Sequence, residues 1–112
     1  MTGEEFRAAA LALPEAVEKE TWGEATFRVR DRIFAMLGPD GTAASLKASL
    51  EDQAELVAGQ PEAFRPASHV GRYGWVSVTL ARADAGEVAE LLSEAWRRTA
   101  PKKLVREYDA AG

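Results

Sequence analysis

The chain has 112 residues, 46% hydrophobic and 29% charged, with a formal net charge of −4, which is the size of one domain and the composition of a folded soluble protein. It contains no cysteine and one histidine, so disulfides, thiolate nucleophiles, zinc fingers and iron–sulfur clusters are excluded. No apolar run approaches a membrane span, and MTGEEFRAAALALPEA carries acids where a secretory signal is basic, so the expectation is a single cytoplasmic domain over residues 1–112.

Thr2 with Glu5 three positions on forms a capping box. Phe6, Ala9, Ala10 and Leu13 then recur at helical spacing until Pro14 stops the run. Ala16–Trp22 reads as a short β-prone piece suited to a sheet edge, broken by Gly23. In TFRVRDRIFAML, a two-residue turn at Asp31 and Arg32 predicts a hairpin with Val29 opposite Phe34 and Phe27 opposite Met36. Alternation then sends Phe27, Val29, Phe34 and Met36 to one face, and Arg28, Arg30, Ile33, Ala35 and Leu37 to the other.

Gly38–Gly41 reads as a turn, and it lacks the lysine of a phosphate loop. A strand follows with Leu46 toward the core and Ser45 and Lys47 outward. Ser49 caps a helix with Leu50, Ala54 and Val57 that ends at Gly59 and Pro61, and Phe64–Ser68 gives a short strand interrupted by Pro66. In GRYGWVSVTL the β-branched and aliphatic set Val76, Val78 and Leu80 is the natural core face, which turns Trp75, Ser77 and Thr79 outward with the arginines. Asp84 and Glu87 start a long helix with the apolar stripe Val88, Leu91, Leu92, Ala95 and Trp96. Pro101 starts a final helix with Lys102, Lys103 and Arg106 opposite Leu104, Val105 and Tyr108. The expected fold class is α+β: an antiparallel β-sheet with helices packed on one face, an N-terminal helix and C-terminal helices.

Charge is unevenly distributed along the chain. Residues 1–24 carry six acids and two bases, and residues 51–63 four acids and no base, whereas residues 25–50 carry four bases and two acids and residues 64–83 three bases and no acid. The strand regions from residue 25 on are therefore basic. On the open sheet face the predicted set is Arg28, Arg30, Lys47 and Trp75, with His69, Arg72 and Tyr73 on the adjoining loop. Cations of this kind match phosphates and the aromatics can stack on a base.

His69 is the only histidine, with no cysteine, no second histidine and no H-E-x-x-H to hold a catalytic metal with it, and no serine lies in a G-x-S-x-G setting. The expectations are thus no enzyme, no catalytic residue, no metal and no cofactor. The partner is DNA, bound weakly and with salt sensitivity. The alternative is a protein partner or a second copy covering Ile33, Ala35, Leu37 and Trp75.

WGEATFRVRDRIFAML, SLKAS and GRYGWVSVTL ahead of AWRRTAPKKLV together resemble the MmcQ/YjbR proteins, small bacterial domains with a frataxin-like (CyaY-like) α+β fold. The resemblance covers essentially the whole chain and implies that fold and a DNA-binding role through a double-wing arrangement, with no catalytic motif. Many members approach the tryptophan through lysine or asparagine, where this chain has His69, Val70, Gly71 and Arg72. The frataxins' iron-binding acidic ridge is not carried over to any residue here.

Overall fold

The computed structural model describes residues 1–111. Thr2 caps α1 (Gly3–Leu11) reciprocally: the Glu5 amide donates to Thr2 Oγ1 at 3.1 Å and the Thr2 amide to Glu5 Oε1 at 2.8 Å. The helix stops before Pro14, and the chain turns into β1 (Val17–Thr21), β2 (Glu24–Val29), β3 (Arg32–Leu37) and β4 (Ala43–Leu46). Ser49 caps α2 (Leu50–Gly59), with the Asp52 amide donating to its Oγ at 3.0 Å. Next come β5 (Phe64–Pro66), the loop 67–75 and β6 (Val76–Thr79). Asp84 then caps α3 (Ala85–Thr99), and α4 (Lys102–Ala111) follows.

The strands form one antiparallel sheet in the order β1-β2-β3-β4-β6-β5. Pro66 lies on the edge strand β5, where its missing N–H costs no ladder bond. Two rows cross the sheet on the helix side: Phe27–Ala35–Leu46–Val76 and Ala25–Leu37–Ala44–Val78–Phe64. Onto them pack Phe6 of α1 and Val88, Leu92, Ala95 and Trp96 of α3. Asp52 of α2 and its C-cap Gln60 reach Arg98 and Glu87 of α3, so α2 lies beside α3 on the same side. The fold is α+β as expected, with the helices on one side of the sheet.

The β2–β3 hairpin corrects the sequence reading. Its turn is Arg30–Asp31, with φ of 50° and 66°, and Val29 pairs with Arg32 and Arg28 with Ile33. Positive φ at both central residues is the hairpin geometry whose twist matches that of the strands. Between Phe27 and Arg28 the register shifts, so that Phe34 and Ala35 together oppose Phe27. This β-bulge reverses the parity of β3 beyond Phe34. Ala35 and Leu37 are therefore core residues, at 0% and 2% exposure, and Met36 points outward. A strict alternation cannot bury Phe34, Ala35 and Leu37 together; one extra residue does so without turning Arg28 inward.

Candidate functional site

With the helices on one side, the other face of the sheet carries a row that crosses all six strands: Lys19, Thr26, Met36, Ser45, Ser77 and Arg65. Beside it lies a second row, Val17–Arg28–Ile33. Lys47 and Trp75 each sit one residue beyond the registered pair Leu46↔Val76. Because those two are core residues, alternation places the Lys47 and Trp75 side chains next to each other on the outward face. Trp75 is half-buried on the sheet face opposite α1 and α3. Its carbonyl is fixed by Gln53 Nε2 at 2.7 Å and by the Ala67 amide at 3.1 Å.

Arg28 is held in place from three sides. Its Nε donates to Thr26 Oγ1 at 3.1 Å, Nη2 to Thr21 Oγ1 at 3.1 Å and Nη1 to Asp31 Oδ1 at 3.4 Å. Lys19 Nζ reaches the same Asp31 oxygen at 3.6 Å. Arg65 Nη1 donates to Thr79 Oγ1 at 3.2 Å. The strands thus present Lys19, Arg28, Lys47 and Arg65 on this face against Glu24 and Asp31, and Lys47, Arg65 and the loop's Arg72 take part in no ion pair among the described residues. A chain that is acidic overall has a locally basic sheet face.

The loop 67–75 folds over the edge of this face. Gly71–Tyr73 form a short 3₁₀ turn, closed by Gly74 at φ 101°, and the Arg72 guanidinium lies 4.9 Å from the centre of the Tyr73 ring. Tyr73 is 63% exposed. His69 adopts φ 64°, a left-handed conformation uncommon for a residue with a Cβ. Ser68, His69 and Val70 line an open cleft of about 390 Å³ whose other walls are Met36, Ser45 and Ser77 of the crossing row, with Glu24, Gly38 and Ala43 at one end. That volume is in the range of small-ligand sites.

Of the seven residues expected to share the site, Arg28, Lys47 and Trp75 lie on the open face, His69 lines its cleft, and Arg72 and Tyr73 sit on the loop beside it. Arg30 is a correction. It occupies the hairpin turn, and its Nη2 donates to Glu15 Oε2 at 3.0 Å in the α1–β1 connection. That bond lowers the Glu15 carboxyl below its ordinary range and raises the Arg30 guanidinium. Arg30 therefore joins Arg32, Arg98 and Lys102 in a separate cleft at the α3–α4 junction. The guanidinium groups of Arg28 and Arg30 do not share a surface, because the turn begins one residue earlier than expected. The apolar surface proposed for a protein partner also shrinks, since Ala35 and Leu37 are in the core.

Four residues on or beside this face escaped the sequence reading. Arg65 and Lys19 enter it only through register, and Met36 only through the bulge. Trp22 forms the β1–β2 turn with Gly23, at φ 54° and 81°, and is 97% exposed. The Trp-Gly pair between two β-prone runs was the available signal for that turn.

A family model described as YjbR matches residues 11–98, most of the chain. Among solved structures, the Deinococcus radiodurans protein DR2400, carrying the family-model domain DUF419, is similar at 27% identity with a TM-score of 0.76, over 85% of this chain and 75% of that one. No curated protein matches. No helix of the described residues is long and apolar enough to cross a membrane. The family model spans residues 11–98 and the fold is shared with DR2400, and the chain belongs to the YjbR family.

Proposed function

We propose that this chain is a non-catalytic DNA-binding module that takes a single-stranded segment across its open sheet face. The observation that carries the reading is the placement of Trp75 beside Lys47 on a face that also presents Arg28 and Arg65, opposite the face on which α1 and α3 pack. An outward indole on a residue whose carbonyl is held by Gln53 and Ala67 offers a stacking surface, flanking cations take phosphates on either side, and the serine and threonine hydroxyls of the crossing row accept or donate to the sugar–phosphate chain. Stacking on one aromatic contributes about 1–3 kcal/mol per base. Three phosphate contacts, from Lys47, Arg65 and Arg72, give a salt slope of about −2 for a single strand. Dissociation constants in the range of about 10⁻⁴ to 10⁻⁶ M follow for binding without sequence preference.

Fluorescence polarisation of a labelled single-stranded oligonucleotide tests this. Trp75→Ala is expected to weaken binding about 5- to 150-fold, the equivalent of one stacking contact. Lys47→Glu weakens it by a similar factor and flattens the salt dependence between about 50 and 200 mM. Arg30→Glu, on the other side of the hairpin, leaves affinity within about twofold at fixed salt, as expected for a charge outside the contact surface. Equal affinity in wild type and Trp75→Ala rules the reading out.

A protein-partner reading is favoured by Trp22, whose indole stands almost fully exposed at a hairpin tip. Trp22→Ser changes the sedimentation coefficient only if this tip holds a second copy of the chain.

A further inference from the structure

Glu24 is out of keeping with a surface that binds phosphates. It lies at the cleft on the basic face, and its carboxylate takes part in none of the ion pairs of the described residues. A free carboxylate in the path of a polyanion opposes binding unless it accepts hydrogen bonds from the ligand. A phosphate or a sugar edge gives it little to accept. A nucleobase edge does.

Resting on the nucleic-acid reading above, we infer that the cleft lined by Glu24, Met36, Ser45, His69 and Ser77 is a pocket for a single guanine base. A carboxylate has two oxygens side by side, both acceptors. Guanine is the one DNA base that presents two adjacent N–H donors, at N1 and N2, with an acceptor, O6, next to them. Glu24 takes the two donors, and a hydroxyl of Ser45 or Ser77 or the imidazole N–H of His69 donates to O6. Met36, on the outward row between Thr26 and Ser45, supplies a polarisable apolar wall for the ring.

The other bases fail on the same edge. Adenine sets its N1 lone pair against the carboxylate. Cytosine offers one donor beside the N3 lone pair, and thymine one donor between two carbonyls. A mismatch therefore loses a hydrogen bond and adds lone-pair repulsion against the carboxylate. The cleft's volume of about 390 Å³ admits one base.

Fluorescence polarisation with an all-thymine strand and with strands carrying one central guanine, adenine or cytosine reads the preference, and free guanosine monophosphate is titrated separately as a pocket probe. The guanine strand is expected to bind about tenfold or more tighter than the others, the usual discrimination of a bidentate base contact. Glu24→Gln removes that preference while leaving the thymine strand bound as tightly or more tightly, because a repulsive charge is gone; general damage to the fold lowers affinity for every strand alike. Equal binding of all four strands overturns the guanine pocket and leaves the nucleic-acid reading intact. Binding of guanosine monophosphate without any strand, lost in Glu24→Gln, supports the pocket and removes the nucleic-acid reading. Binding of neither probe overturns both.

Discussion

Gly74→Ala is expected to destabilise the protein by about 3 kcal/mol and to abolish ligand binding at the open face wherever the folded state survives. Gly74 holds φ 101°, and a Cβ there stands 2.5 Å from the Ala48 carbonyl oxygen, 2.8 Å from the Ser49 carbonyl carbon and 2.9 Å from the Leu50 nitrogen. All three are backbone atoms, so no side chain can rotate away. The strain of a left-handed residue with a Cβ adds about 1–2 kcal/mol. Relief requires loop 67–75 to lift from the start of α2, and that loop positions Trp75 and carries Arg72. A drop in Tm of about 10–15 °C is expected for a domain of this size. Gly59 is the control. Nothing lies within 4 Å of a Cβ there, and it closes α2 in ordinary helical geometry, so Gly59→Ala is neutral or stabilising by up to about 1 kcal/mol. Equal melting temperatures for the two variants contradict the close approach of Gly74 to the α2 start.

The second large effect belongs to Trp96. Its indole is fully buried where α3 meets the α1–β1 connection, and its N–H donates to the Pro14 carbonyl at 3.0 Å. Tyr108 of α4 meets it edge-on, ring centres 5.0 Å apart at 62°. Trp96→Ala leaves a cavity among these three elements and an unpaired carbonyl, a loss of about 3–5 kcal/mol in urea unfolding. Trp96→Phe retains most of the volume and loses the hydrogen bond, at a cost nearer 1–2 kcal/mol. Amide exchange separates the two contributions: in Trp96→Phe protection of α4 persists, and in Trp96→Ala it is lost before that of the sheet.

The sequence made the helices legible because their signals are local. Thr2, Ser49 and Asp84 each cap a helix within three residues of the amide they accept, and the α3 stripe repeats every turn. Strand β6 was equally clear, since Val76 and Val78 alternate with Trp75 and Ser77 and no bulge intervenes. The β2–β3 hairpin was not. A bulge at Phe34 has no residue signature of its own; it arises because Phe27, Val29, Phe34, Ala35 and Leu37 all fit one core, a condition set by α1 and α3 rather than by neighbours in the chain. The error moved Arg30 onto the wrong side. The cleft was invisible for a related reason: Glu24, Met36, Ser45 and His69 are distant in sequence and meet only through strand order and the fold of loop 67–75.

The charge pattern was informative at the level of segments. Residues 64–83, without an acid, supply Arg65 and the loop's Arg72, and residues 25–50 supply Arg28 and Lys47, so the basic character of this face was readable before its geometry. The exposure of Trp22 was not, since a tryptophan closing a β-prone run is expected to pack against something.

Amide NMR with a short single-stranded oligonucleotide tests the central claim most directly, because it reports location as well as affinity. The predicted result is saturable shift changes confined to Glu24, Arg28, Met36, Ser45, Lys47, Arg65 and the segment 68–77. Changes centred on α1, α3 and α4, or none at all up to millimolar strand, contradict it.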